Sequence, residues 1–331
     1  MVLIKEIYES LISKKVEIER QLQLLDDIRN LETEKKVKEK WIEYKPKEAK
    51  GNFIAIDGGE WVKELRSGTL YVMNAEVIKA EGNDITTLDT KGLIGVLRPG
   101  NLARENVSLM MQLLELKLAF KYGSEADYIL LDGSLSKKIG DHKFKDKDST
   151  LDDIEINDKI YALEEPNETI MHRYLIAENH IVIANLIEKY KDKLLWISKN
   201  NKSTELFGER VSDMALLDLL TNDTGYSVPL EKSIDGKNLI SLMASQKLDN
   251  EKYYSSYVRL SKGGKVLKID MFTKDVEKIM DLLSTTSIKG YPYPLLKVHT
   301  DVKVSRQDRE RIQQMLNIKK RTTDWWPNQL F

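Results

Sequence analysis

Ile54-Ala55-Ile56-Asp57-Gly58-Gly59 and Ile129-Leu130-Leu131-Asp132-Gly133-Ser134 have the same design: an apolar run of strand length, then an aspartate, then glycine. Phe53–Ile56 reads as a short strand ending at Asp57. Two further strands follow, over Leu70–Ala80 and Ile85–Leu97, close enough to the first for hairpin connections. Pro99-Gly100 stops the third, and a helix runs over about 101–122 with Leu109, Leu113, Leu116 and Phe120 at core-facing spacing. Tyr128–Leu131 is a fourth strand, ending at Asp132. After a Lys/Asp/Glu-rich surface insertion, 136–168, a helix over Thr169–Tyr190 leads to a fifth strand, Leu194–Ser198. Three strands in hairpin succession give an antiparallel meander, and each later helix is a crossover to a parallel strand. The expected class is α/β: an RNase H-like mixed sheet with flanking helices, in which the first strand lies beside the fourth.

Outside this core, residues 2 to about 42 read as helix, with an apolar stripe at Ile7, Leu11, Ile18, Leu22, Leu25, Ile28 and Leu31. The stripe packs on the body or on a second subunit. The division is therefore a helical N-terminal extension, 1–45, and an RNase H-like domain, 46–331, that carries the insertion near 136–168. The C-terminal third adds a helix at Asp213–Leu220 and a hairpin over Tyr253–Phe272 turning at Lys262-Gly263-Gly264. Then come a helix at Lys274–Ser284, an irregular Gly290-Tyr291-Pro292-Tyr293-Pro294 segment and a basic helix near Ser305. The tail Trp325-Trp326-Pro327…Leu330-Phe331 is apolar enough to want a partner surface.

Bulk properties narrow the function. The chain has no cysteine, which removes disulfide scaffolds and cysteine zinc sites and favours a cytoplasmic setting. The first twenty residues carry Lys and Glu throughout, unlike a signal peptide, and no apolar run reaches the ~18 residues of a membrane span. Fifty-two basic residues meet 53 acidic ones, so nucleic-acid binding must use a local groove rather than overall charge. There is no P-loop, no dinucleotide fingerprint at a strand–helix turn and no G-x-S-x-G.

The chemistry centres on the two aspartates. An acid at a strand's carboxyl edge lies where open α/β sheets bind ligands, and the following glycine lets a phosphate come close. Either motif alone is an ordinary Asp-Gly turn as readily as a ligand. Repeated on strands that the topology makes neighbours, Asp57 and Asp132 converge, and two converging carboxylates call for a cation between them. Hard oxygen donors select Mg²⁺ or Mn²⁺. Glu115 sits amid Leu113, Leu114, Leu116 and Leu118. It either aims at the Asp pair or lies on the polar flank, paired with Lys117 or Lys121. Asp213 is a first-turn helix acid or a catalytic one. His299 ends an apolar run and is a structural or a functional histidine. Lys199 is an exposed lysine or a phosphate ligand. Tyr291 stacks a base, orients a water or fills a turn.

Together these residues resemble the NurA family, archaeal nucleases that work with the HerA hexameric translocase in DNA end resection. The resemblance is carried by the segments Phe53–Gly59, Leu113–Leu116, Tyr128–Ser134, Leu194–Lys199, Ile288–His299 and the Trp325-Trp326-Pro327 tail. It implies a Mn²⁺- or Mg²⁺-dependent nuclease that is an endonuclease on single-stranded DNA. It also implies exonuclease action at 5′ ends of single- and double-stranded DNA, by a homodimer docked on HerA. By position, Asp57 and Asp132 would be metal ligands, Glu115 a third metal-holding acid and His299 catalytic, with Asp213, Lys199 and Tyr291 as further site residues. Gly59 stands where the family usually has Ser, a departure that removes no ligand. A non-catalytic RNase H-like platform, assembling a translocase on DNA, is the alternative from another functional class.

Overall fold

The computed structural model describes residues 5–22, 31–82 and 84–318. The chain opens with helices α1 (Lys5–Leu22) and α2 (Leu31–Lys40), followed by strand β1 (Trp41–Glu43). The central meander is β2 (Asn52–Leu65), β3 (Gly68–Glu81) and β4 (Asp84–Leu97). Helix α3 (Ala103–Tyr122) crosses to β5 (Tyr128–Asp132). A short α4 (Leu135–Ile139) and the long α5 (Glu168–Tyr190) precede β6 (Leu194–Ser198). The C-terminal part comprises α6 (Asp213–Leu220), β7 (Gly225–Ser227), β8 (Leu230–Ser233), α7 (Leu242–Leu248), β9 (Lys252–Arg259) and β10 (Leu267–Met271). It closes with α8 (Val276–Thr285), β11 (Ser287–Ile288), β12 (Tyr291–Pro292), α9 (Tyr293–Asp301) and α10 (Arg306–Met315).

Ten strands form one mixed sheet in the order β1-β7-β9-β10-β6-β5-β2-β3-β4, with β8 also paired to β9. The segment β6-β5-β2-β3-β4 carries the expected RNase H-like arrangement. The meander β2-β3-β4 is antiparallel, and β2, β5 and β6 are parallel, with the first meander strand beside the fourth strand. β6 reads Leu-Leu-Trp-Ile-Ser with every residue buried, as expected for a parallel strand covered on both faces. One face packs Ile54, Ile56, Ile129, Leu131 and Trp196 under α3 and α5. The other packs Phe53, Ala55, Leu130, Leu195 and Ile197 under α8 and α9. A third, smaller cluster joins Val37 of α2 to Trp41, α6 and Tyr257.

Several expectations change in detail. Of the helical reading over 2 to about 42, the described residues show Lys5–Leu22 and Leu31–Lys40 as helix, and the chain then turns extended so that Trp41–Glu43 pairs with Gly225–Ser227 at the far sheet edge. In α1, Ile7 and Leu11 are half exposed. The stripe positions Leu25 and Ile28 lie outside the described residues, as does the Trp325–Phe331 tail. The insertion 136–168 is tied to the body at its C-terminal end. Glu178, fully buried on α5, accepts hydrogen bonds from the Tyr161 and Ala162 N–H groups at 3.3 and 3.2 Å, and from Lys117 Nζ at 2.7 Å. The segment read as irregular around Gly290 is a tight hairpin. Lys289 and Gly290 both have positive φ, 53° and 79°, the conformation of a two-residue primed turn between β11 and β12. Pro294 then sits in the first turn of α9, where a missing N–H costs nothing.

Candidate active site

Asp57 does not end its strand. β2 continues to Leu65, paired with β3 throughout. What ends near Asp57 is the parallel pairing with β5, whose last matched residues are Ile56 and Leu131. One residue further on both strands come Asp57 and Asp132. The strand period of two puts both on the face of Ala55 and Leu130, toward α9. The acids thus converge where two parallel strands part.

Helix α9 covers that point. Its Leu295 and Val298 are buried in the second core cluster. His299, one position on, turns its imidazole to Asp57, with Nδ1 2.7 Å from Oδ2. The Asp57 carboxylate is an acceptor, so Nδ1 carries the hydrogen. The other Asp57 oxygen accepts from the Gly58 N–H at 2.9 Å. The His299 side chain is 40 % exposed, so it is not sealed in the core. Asp132 accepts from the Gly133 N–H at 3.0 Å and has Lys199 Nζ at 3.5 Å from its other oxygen. The Lys199 ammonium lies 4.7 Å from the centroid of the Tyr291 ring. The Tyr291 hydroxyl is buried and has no hydrogen-bond partner among the described residues. Burial first, and then Asp132 and Asp57, hold that phenol well above its usual pKa.

Glu115 reaches the same place from the opposite layer. It is buried on α3, and Lys138 of α4 donates to its Oε2 at 2.9 Å. Of its two sequence readings, the aim at the Asp pair is the one observed. The lysine beside it, however, is Lys138, while Lys117 pairs with Glu178. Burial, opposed by Lys138 and reinforced by Asp57 and Asp132, raises the Glu115 pKa. Burial raises that of Asp57 as well, followed by the Asp132 charge, against the His299 and Gly58 hydrogen bonds. The raised values mark an excess of negative charge in a dry place.

Asp213 is not brought to this cluster. It is fully buried and accepts from the Leu206 and Phe207 N–H groups, both at 3.0 Å, and from the Tyr257 hydroxyl at 3.2 Å. Its oxygens are taken up holding a loop against α6.

Three nearby residues escaped the sequence reading. Lys138 is one. Glu76, buried on β3, stands opposite Asp57 in the β2–β3 register and accepts from the Thr87 hydroxyl at 2.8 Å. Asp270, on β10, accepts from the Leu135 N–H at 3.0 Å and the Ser255 hydroxyl at 2.5 Å, with Lys268 Nζ also 3.0 Å away. It pins the loop that follows Asp132. An acid inside the five-residue strand Leu267–Met271 was the available signal for Asp270.

Among the described residues, Asp57, Asp132 and His299 each offer a ligand atom within 4.8 Å of the others. Two carboxylates that repel across a part-buried gap, beside an orphaned phenol, suit a hard divalent cation such as Mn²⁺ or Mg²⁺. Glu115 stands behind this group, its Oε2 already engaged by Lys138.

A family model for the NurA domain matches residues 51–304, well over half of the chain and all the residues of this cluster. The chain belongs to the NurA family. The DNA double-strand break repair nuclease NurA of Sulfurisphaera tokodaii is 60 % identical, over 99 % of this chain and the whole of the relative. The crystal structure of the NurA nuclease from Sulfolobus solfataricus has a TM-score of 0.84 at 35 % identity and covers 98 % of this chain and 100 % of its own. A NurA crystallised with dAMP and manganese shares the fold at a TM-score of 0.66 and 17 % identity, covering 96 % of this chain and 98 % of its own. The family is one of nucleases, as the acid pair leads one to expect. Gly59 also packs closely against the segment after α9. A Cβ there would stand 1.9 Å from the Val302 carbonyl oxygen, just beyond the end of α9.

Proposed function

We propose that this chain is a divalent-metal-dependent DNA nuclease acting in double-strand break repair. The observation that carries the reading is the convergence of Asp57, Asp132 and His299, with ligand atoms within 4.8 Å of one another. Family membership and the activity named for the 60 % identical relative support it.

Asp57 and Asp132 would hold Mn²⁺ or Mg²⁺, the metal present in the related manganese-bound NurA. The bound cation supplies charge that polarises the scissile phosphate and acidifies a water. The protein supplies the rest. His299 orients Asp57 through its Nδ1–H, which leaves Nε2 for the substrate; in the imidazolium form, with a proton on both nitrogens, Nε2–H would give its proton to the leaving oxygen. Lys199, on the Asp132 side, meets negative charge on the phosphate. The unpartnered Tyr291 hydroxyl finds an acceptor in a phosphate oxygen or a water. Glu115 adds negative charge from behind.

By the family resemblance, the substrates are single-stranded DNA, cut internally, and 5′ ends of single- and double-stranded DNA, cut progressively. The working form is a cytoplasmic homodimer docked on the HerA translocase. The half-exposed Ile7 and Leu11 of α1 give such partners an apolar surface. No helix among the described residues is long and apolar enough to cross a membrane. The test is cleavage of labelled single-stranded DNA with Mn²⁺, with and without chelator. Chelator-sensitive cleavage, lost in Asp132→Ala, is the expected result. DNA binding without cleavage would instead support the non-catalytic platform.

A further inference from the structure

Strand β10 is buried at all five positions, yet two of them carry charge. Its Ile269 and Met271 pack in the cluster under α8 and α9. The strand period of two therefore turns Lys268 and Asp270 to the opposite face, away from the side on which Asp57 and Asp132 converge. Asp270 is fully buried and Lys268 nearly so, with Nζ 3.0 Å from Oδ1. The Ser255 hydroxyl, directly opposite on β9, donates to the same oxygen. A buried ion pair of this kind is weak evidence of stability, because apolar side chains of similar volume often serve as well or better. What the carboxylate does that an apolar group cannot is accept a hydrogen bond. Its other oxygen takes the Leu135 N–H at 3.0 Å, at the first position of α4 and three residues after Asp132.

The turn between them needs that anchor. Gly133 has φ +100°, a conformation that gives the chain freedom at this point. The Gly133 N–H is tied to Ile197 O at 2.9 Å, which fixes the near end of the turn to β6. Asp270 fixes the far end to β10. We infer that Asp270 is a positioning residue of the nuclease site. From the opposite face of the sheet it holds the start of α4, and through the backbone it sets the direction of the Asp132 carboxylate. The inference rests on the nuclease reading above.

The test separates positioning from stability. Lys268→Met with Asp270→Asn removes both charges but keeps an acceptor for the Leu135 N–H. Ser255→Ala, Lys268→Met and Asp270→Leu together make the set apolar and leave that N–H without one. Melting shows whether each variant is folded. Cleavage of labelled single-stranded DNA at saturating Mn²⁺ then gives kcat and KM. The apolar variant is expected to lose roughly tenfold to a hundredfold in kcat, the scale of a small misplacement of a reacting group, with KM little changed. The asparagine variant should keep a kcat close to that of the wild type. A folded apolar variant that cleaves at the wild-type rate, or an asparagine variant as slow as the apolar one, would overturn the inference. If the apolar variant does not fold, Leu135→Pro removes the donor instead of the acceptor. Proline suits the first position of a helix, and Ser134 before it is already extended, with φ −116° and ψ 145°. Leu135→Pro should lower kcat to a similar degree, and a wild-type rate there would count equally against the inference. Failure of the nuclease reading looks different: the wild type itself would not cleave.

Discussion

His299 Nδ1 lies 2.7 Å from Asp57 Oδ2, across 242 residues of sequence. The contact joins the first strand of the meander to a helix near the end of the chain, and it fixes which imidazole nitrogen remains for the substrate. A proton donor placed this way acts chiefly in the transition state. His299→Ala is expected to slow cleavage roughly a hundredfold or more. DNA affinity and melting temperature should change little, because the side chain is part-exposed. Rate, affinity and melting measured on the same protein check this, and early melting with a normal rate would return His299 to a structural role.

Asp57 and Asp132 repel each other in the metal-free protein, and burial adds to the cost at Asp57. Asp57→Asn should therefore abolish cleavage yet melt no earlier than the wild type in chelator. The sign follows from the raised pKa. Such a group contributes stability below its unfolded value, and that contribution is lost as pH rises through the folded value. The advantage of Asp57→Asn should thus be full at neutral pH and shrink on acidification toward the carboxylate range. Mn²⁺ should raise the melting temperature of the wild type but not of the variant.

His180 makes the opposite pH statement. It is sealed between Ile139 O, to which Nε2 donates at 3.0 Å, and the Ile240 N–H, which donates to Nδ1 at 3.0 Å. Burial holds its pKa down at about 4. The folded chain therefore resists a proton that the unfolded chain accepts near pH 6.5. The stability contributed by neutral His180 is complete above about pH 6.5 and fades as pH falls toward 4, by on the order of 3 kcal/mol. Denaturant melts across that range should show the loss, and in a folded His180→Gln the slope should flatten.

The Lys117–Glu178 pair is buried on both sides, and Glu178 also receives two backbone N–H groups of the insertion. Glu178→Ala strands a buried ammonium and frees 160–162, at an expected cost of about 3–5 kcal/mol. Hydrogen exchange should rise first in that part of the insertion. Unchanged protection there would mean that other contacts hold the segment.

Gly59→Ala drives a methyl group into the Val302 carbonyl, three residues beyond His299. An expected cost of about 1–3 kcal/mol should come with slower cleavage, as the end of α9 moves and carries the imidazole off Asp57. Normal cleavage by the folded variant would show that α9 can shift without disturbing the site.

The paired strands and their aspartates were readable from local pattern. Apolar runs, hairpin spacing and crossover length restrict the topology to few choices, and the side-chain period of two then puts Asp57 and Asp132 on one face. The family resemblance tipped Glu115, His299, Lys199 and Tyr291 toward the site, and Asp213 with them, which the fold holds elsewhere. Pattern could not choose between the polar-flank and inward readings of Glu115, nor supply its partner. Helical spacing offered Lys117 and Lys121, but the chain folds Lys138 against it and gives Lys117 to Glu178. Nor could it separate Asp213, which caps a buried loop, from an acid of the site. Periodicity says which face of its own element a residue occupies. Which charge lies across the gap is settled by how whole layers pack, and there a buried carboxylate must take whatever donor the packing brings within reach.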